Sequence, residues 1–342
     1  MRVAVLGMGT IGQRLVPAVT AQPDMDLSGI AIRSLSPVVR AHPHYPYFAS
    51  GAPGQQALSE GGIDSHGDLS CLLADSEVII DCGQAGTGAC RYDTYRAAGV
   101  KAIFCGGERA LDLGPLVSSH LNYAVGHEVS SLRLLSCNTT ALARITASLG
   151  ADDVSEVVAT ILRCAVDDQR RGSLTMAGAI VQPGNSHHAD DLRSVAKGIY
   201  VESTAVTTPM TAGHLVHARV KLLRTATHSD TLARLADSAR ITVHPTDEAL
   251  DTAAIAASTW TSSDQPPCRY EVVVRMEPPI EQREVQAWLS LDHAAITIPE
   301  TIDAIRAICG SSDADEARAL TNAALGITSA PHPATSHVAV LG

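Results

Sequence analysis

The sequence predicts an α/β protein: a Rossmann-type parallel-sheet domain followed by an α+β catalytic domain with a mainly antiparallel sheet. Three observations carry that expectation. The chain opens with "RVAVLGMGTIGQRLVPAVTAQ", a short apolar strand running into Gly7-x-Gly9-x-x-Gly12 and then an apolar-periodic helix. Short apolar runs alternate with helix-forming stretches up to about residue 136, the pattern of successive βαβ units. From about residue 152 the runs become longer and alternate polar with apolar, as in a sheet covered on one face.

The elements follow in order. After the opening strand and helix comes a second strand, "DLSGIAIR", and then strand-like runs at "EVIIDC", "KAIFC" and "LRLLSC". These complete a parallel sheet with helices between its strands. The second half contributes "SEVVATILRC", "HARVKLL", "YEVVVRM" and "EVQAWLSLD", with a helix at "SDTLARLADSAR". Near the end, "TIPETIDAIRAI" carries a capping-box pattern from Thr297 to Glu300 and is followed by a second helix, "ADEARALTNAALG". Such helices are expected to return to the first domain. The expected boundaries are therefore 1–136 with roughly 300–342 for the dinucleotide-binding domain, and 137–299 for the catalytic domain. The tail "SAPHPATSH" reads as weakly structured.

Composition narrows the function. A chain of 342 residues, 45% of them apolar, can bury a large core and exceeds the usual size of one domain. A net charge of −11 and only 3% aromatic residues argue against a nucleic-acid or anionic-membrane surface. No apolar run reaches membrane-spanning length and no signal segment is visible, so a soluble, cytoplasmic protein is expected. Its eight cysteines form no CxxC pair, and most read as small buried apolar residues.

The glycine motif stands where a dinucleotide site needs it, between a strand and a helix. Gly7 allows the tight turn, Gly9 lets the backbone approach a pyrophosphate, and Gly12 allows close packing. Thr10 and Ile11 lie in the same turn, and the helix start offers N–H donors to the anion. The second strand ends in Arg33 and Ser34, with no carboxylate to bond an adenosine ribose. Asp24 and Asp26 are read as lying ahead of that strand. The cofactor expected is NADP, with NAD possible; an exposed arginine at a strand terminus is the plainer alternative.

"RLLSCNTTALARI" raises the chemical question. Cys137 follows an apolar strand and opens a helix, at the edge of the sheet where open α/β folds bind ligands. The positive helix end favours its thiolate. Backbone amides with the Asn138 side chain are placed to bind an oxyanion, and Thr139 or Thr140 to cap the helix or hold a phosphate. The alternative is Ser136 or Asn138 as a helix cap beside a buried thiol.

In order along the chain, "GMGTIGQR", "IFCGGE", "SCNTTAL", "SHHADD" and "IPETIDAIRA" resemble the signatures of the archaeal-type (type II) glyceraldehyde-3-phosphate dehydrogenases. The resemblance covers nearly the whole chain. It implies a homotetrameric, two-domain enzyme using NADP or NAD, with Gly107 among the cofactor residues. It also implies Cys137 as nucleophile and, through "PMTAGH", His214 as its base. Arg163, His187, His188 and Thr140 match family positions near the substrate phosphate, although a double histidine before a helix also reads as a surface cap. His214 with His217 reads alternatively as a metal pair or a structural histidine; no third ligand stands at zinc spacing, so no metal is expected.

The sequence departs from the family at the substrate wall. A paired arginine has become Arg163-Cys164, a lysine- and proline-bearing stretch reads "RGSLTMAG", and a later Gln-Glu-Ser reads His293-Ala294-Ala295. The expected substrate is therefore a small phosphorylated or phosphonylated aldehyde, with inorganic phosphate as a possible second reactant. True glyceraldehyde 3-phosphate oxidation and a non-catalytic nucleotide-binding regulator are the alternatives.

Overall fold

The computed structural model describes residues 1–84, 86–105, 107–165, 178–258, 268–278 and 281–328. "SAPHPATSH" and most of "RGSLTMAG" lie outside them. The chain divides into two compact units, one of Met1–Ser136 with Thr297–Gly326, the other built on Cys137–Ile296.

The first unit holds the strands β1 (Arg2–Leu6), β2 (Asp26–Ile32), β3 (Tyr47–Ala49), β4 (Val78–Asp81), β5 (Lys101–Phe104), β6 (Leu116–Val117) and β7 (Ser131–Leu134). They form one sheet in the order β3-β2-β1-β4-β5-β7-β6, and every neighbouring pair is parallel. Runs such as Val3–Leu6 and Val78–Asp81 are buried throughout, because helices cover both faces of a parallel sheet. Those helices include α1 (Gly12–Thr20), α2 (Pro37–Ala41), α3 (Gly51–Gly61), α4 (Leu69–Ala74) and α5 (Ala89–Ala97). Strand order reverses between β1 and β4, which makes the end of β1 a switch point, where such sheets take their ligands.

The glycine turn sits at that point. Gly7 has φ +97°, which favours glycine, and its N–H donates to the Ala31 carbonyl at 2.8 Å. A Cβ on Gly12 would lie 1.9 Å from the Gly7 oxygen, whereas one on Gly9 would meet nothing within 4 Å. Gly12 is thus a packing requirement and Gly9 an open approach to the backbone.

The second unit is the expected α+β arrangement. Its strands are β8 (Val154–Cys164), β9 (Ile180–Val181), β10 (Tyr200–Thr208), β11 (His214–Leu222), β12 (Ile241–Val243), β13 (Val272–Met276) and β14 (Glu284–Leu291), in the order β12-β13-β14-β11-β8-β10-β9. Antiparallel pairings predominate, but β8 pairs β10 and β12 pairs β13 in parallel. Strict alternation of burial along β10 and β11 marks a sheet with one covered face. Helix α6 (Cys137–Leu149) packs on β8, β11 and β14, beside α7 (His187–Val195) and α8 (His228–Ala236). Short α9 (Thr252–Ala257) packs on β14.

The C-terminal helices α10 (Ile298–Cys309) and α11 (Ala314–Leu325) belong to the first unit. Arg306 of α10 is fully buried. Its Nε donates to Asp24 Oδ2 at 2.9 Å and its Nη2 to Asp24 Oδ1 at 2.6 Å. Nη2 also donates to Gln22 Oε1 at 2.9 Å, and Nη1 to Thr321 Oγ1 of α11 at 2.6 Å. Asp24 is therefore a structural partner, and Asp26 is the first residue of β2 rather than ahead of it.

The capping box expected at Thr297 is not formed. Thr297 has helical dihedrals (φ −86°, ψ −6°) and no side-chain cap bond, whereas capping needs an extended residue. Glu300 instead turns to His120, with Oε1 3.9 Å from Nδ1.

Two alanine substitutions separate packing from binding at the glycine turn. Gly12→Ala should destabilise the protein by about 1–3 kcal/mol through overpacking, while Gly9→Ala should leave the thermal midpoint nearly unchanged and weaken dinucleotide binding. Equal midpoints for Gly12→Ala and the parent, in thermal unfolding without cofactor, would refute the packing role.

Candidate active site

Helix α6 begins at Cys137, two residues beyond the end of the buried β7 and its continuation through Leu135. Cys137 is half-buried, and Asn138, Thr139 and Thr140 are buried behind it. Small polar residues at a first helical turn have unpaired amides to serve, and the apolar positions after them press the helix onto the sheet. The sulfur thus lies in the positive field of the helix end, which stabilises a thiolate. Cys82 and Cys309 are placed differently. Hydrogen bonding to Cys105, together with burial, holds the Cys82 thiol well above its ordinary range, and burial pushes Cys309 up.

What fixes α6 in place is Arg144, which has no exposed surface. Its Nη1 donates to the carbonyls of Arg240 at 3.1 Å and Tyr270 at 2.6 Å, and its Nη2 to that of Ile296 at 2.8 Å. Three segments that precede β12, precede β13 and follow β14 are thereby tied to one helix.

His214, the first residue of β11, is completely buried. Its Nδ1 lies 3.6 Å from Cys137 Sγ and 3.1 Å from Asn138 Oδ1. An amide oxygen only accepts, so in this orientation Nδ1 bears the proton. The sulfur, its other close neighbour, is then placed as an acceptor, which is the role of a thiolate. Asn138 therefore orients the imidazole through Oδ1. His217 falls on the opposite face of the strand, as residues three apart must. It packs on Trp288, with ring centroids 4.8 Å apart, and burial pushes its pKa down. No His214–His217 metal pair is formed.

Two further residues stand beside His214. The His293 ring stacks on it at 4.9 Å and 16°, and His293 Nδ1 is 3.8 Å from Cys164 Sγ. Both occupy positions where the sequence departs from the archaeal-type pattern. Sequence reasoning saw the departures but not the proximity, because these residues come from the ends of separate strands.

The anion set is partly assembled. Thr139 Oγ1 lies 3.0 Å from His188 Nδ1, and the His187 and His188 rings are 3.9 Å apart. His187 is the first residue of α7 rather than ahead of it, and stands 4.0 Å from Asp191. Thr140 Oγ1 is buried without a hydrogen-bond partner. Arg163, half-buried near the end of β8, accepts from Thr208 Oγ1 through its carbonyl at 3.2 Å.

In the first unit, Gly9 and Thr10 are exposed at the turn and Ile11 is the N-cap of α1. Arg33 and Ser34 are exposed just past β2. Gly107 takes φ +76° in the loop after β5. Its neighbour Glu108, not singled out in the sequence, accepts from the N–H groups of Gly86 and Gly88 at 3.0 Å each. Asp81 anchors the next loop by accepting from Arg91, Tyr95 and the Gly83 N–H.

Residues 136–265 match the family model for the glyceraldehyde 3-phosphate dehydrogenase C-terminal domain. The chain is 31% identical to the glyceraldehyde-3-phosphate dehydrogenase of Aeropyrum pernix, over 96% of this chain and 98% of that one. It is 34% identical to the protein of that name from Hyperthermus butylicus, over 96% and 97%.

The chain belongs to the glyceraldehyde-3-phosphate dehydrogenase family.

It is an NAD(P)-dependent dehydrogenase of that type. A crystal structure of aspartate semialdehyde dehydrogenase II from Vibrio cholerae shares the fold, with TM-score 0.69, 12% identity, and coverage of 91% of this chain and 98% of that one. No helix among the dehydrogenase's described residues is long and apolar enough to cross a membrane.

Removing the Arg144 charge should loosen α6. Arg144→Met is expected to cost at least about 3 kcal/mol, because three buried carbonyls lose a charged donor. A urea midpoint equal to the parent's would show that the guanidinium is not the anchor.

Proposed function

We propose that the dehydrogenase oxidises a small phosphorylated or phosphonylated aldehyde through a thiohemiacetal and a thioester on Cys137, preferring NADP to NAD and acting in the cytoplasm as a homotetramer. The observation that carries the chemistry is the 3.6 Å approach of Cys137 Sγ to His214 Nδ1, with Asn138 Oδ1 at 3.1 Å from the same nitrogen.

Addition of the thiolate to an aldehyde carbon forms the C–S bond and leaves an oxyanion. Amides of the first turn of α6 and the Asn138 amide are the donors for it, and His214, made an imidazolium by the Cys137 thiol proton, supplies the proton. The imidazole then takes the hydroxyl proton back as hydride leaves the carbon. Cys137 is left as a thioester, which phosphate or water cleaves, returning the thiolate. A dinucleotide fits the first unit, where a bare Gly9 and the positive-φ Gly7 leave the backbone open. Gly7, Gly9, Thr10, Ile11, Gly12 and Gly107 would hold it, and when bound it supplies the hydride acceptor. Arg33 and Ser34, exposed and without a carboxylate beside them at the strand end, favour a 2′-phosphate.

For the substrate anion we assign Thr139, Thr140, Arg163, His187 and His188. The buried, unpartnered Thr140 Oγ1 supports this reading, because such an atom costs free energy unless a ligand meets it. Glyceraldehyde 3-phosphate is the second reading, favoured by the names of the relatives at 31% and 34% identity. The altered wall at Cys164 and His293 weighs against it.

Cys137→Ala should abolish thioester formation while leaving dinucleotide affinity nearly unchanged, and residual turnover near the parent's rate would remove Cys137 from the mechanism. His214→Ala should slow hydride transfer about 100- to 10,000-fold; an unaltered single-turnover rate would place the base elsewhere.

Titration should show NADP binding more tightly than NAD, with Arg33→Ala narrowing the gap. The substrate is decided by kcat/KM over a panel of anionic and neutral short aldehydes. A lead of about tenfold or more for glyceraldehyde 3-phosphate, some 1.4 kcal/mol in transition-state stabilisation, would reject the specialised substrate.

A further inference from the structure

Cys164 closes β8, His214 opens β11 and His293 lies just past β14. Strands β14, β11 and β8 are consecutive in the sheet, and β11 is antiparallel to both neighbours. The start of the central strand and the ends of its two neighbours therefore share one end of the sheet. One ligand atom from each of the three residues lies within 4.8 Å of the other two. Cys164 and His214 are buried and His293 is half-buried.

This donor set has a defined chemistry. Zinc–nitrogen and zinc–sulfur bonds place tetrahedral donors about 3.3–3.6 Å apart. The Cys164 Sγ to His293 Nδ1 distance of 3.8 Å is close to that; the 4.8 Å limit on the whole trio leaves about 1 Å to close, and one imidazole of the stacked pair must turn so that both lone pairs meet at the ion. One thiolate with two imidazoles suits a borderline-soft divalent ion and not magnesium or calcium, which take oxygen ligands. Three protein ligands also leave the fourth position open.

We propose that Cys164, His214 and His293 form a binding site for a thiophilic divalent cation of the zinc class, and that filling it silences the enzyme by occupying the imidazole of His214. A metal–sulfur bond replaces the Cys164 S–H bond and the proton passes to solvent; both imidazoles bind as neutral bases, and no electrons are transferred. Affinity therefore rises with pH until the three ligands are deprotonated. The silencing rests on His214 as the base, whereas the metal binding does not.

Cobalt(II) is the probe for the site, since a thiolate ligand gives it an ultraviolet charge-transfer band and tetrahedral binding gives visible absorption. The parent and Cys137→Ala should both show these bands. Cys164→Ser should lose the charge-transfer band, and His293→Ala should weaken cobalt binding by at least about tenfold, given that even outer-shell partners change metal affinity that much. In turnover assays, zinc should inhibit the parent reversibly to a chelator, and both variants should need at least about tenfold more zinc for half inhibition. No thiolate band in the parent, or a band that survives in Cys164→Ser, overturns the site. Cobalt binding as described without inhibition by zinc overturns the silencing and the role of His214, and leaves the metal site standing.

Discussion

The geometry of the reactive centre depends on a guanidinium with no access to water. Arg144 sits two helical turns beyond Cys137, so the two side chains leave α6 on nearly the same side. Burying that charge is costly unless its donors are met, and the carbonyls of Arg240, Tyr270 and Ile296 are brought to one place to meet them. Any slip of α6 along or about its axis would strand the charge. The position of the sulfur opposite His214 is thus set by a requirement felt two turns away.

The first unit uses a buried arginine differently. Arg306 is matched by a carboxylate, Asp24, as well as by Gln22 and Thr321. Charge neutralisation there joins the start of the sheet to helices that arrive from the far end of the chain. Arg144 is met by the peptide oxygens of Arg240, Tyr270 and Ile296, so it demands a particular backbone arrangement at those three segments. The first device secures a connection, and the second secures a register.

Local signals were readable in the sequence, and long-range ones were not. The glycine turn, the alternation of apolar runs and the helix opening at Cys137 are short-range patterns governed by backbone sterics and periodicity, and the chain displays them directly. The parallel pairing of β8 with β10 is different, since it depends on how the chain between them is routed. At Thr297 the residue types for a capping box were present, yet the backbone there is already helical and Glu300 has a better partner in His120. The convergence of Cys164 and His293 on His214 was hidden for a related reason: each residue alone looks like a tolerated change, and only strand order makes them neighbours. Glu108, which bonds the Gly86 and Gly88 amides, had no local pattern to announce it.

The parallel register of β8 and β10 also bears on when the site comes into being. Two parallel neighbours require the chain to cross back over the sheet, and α7, with His187 and His188 at its head, lies on that crossing. The partner strand β14 meets β11 only after a further long excursion. Such pairings close large loops and carry their entropic cost before they repay it. The helix bearing Cys137 is one contiguous segment, whereas His214, His187 and His188 are brought to it by these long-range pairings. The proposed nucleophile is thus carried on a local element, and its proposed partners on elements whose placement requires the completed sheet.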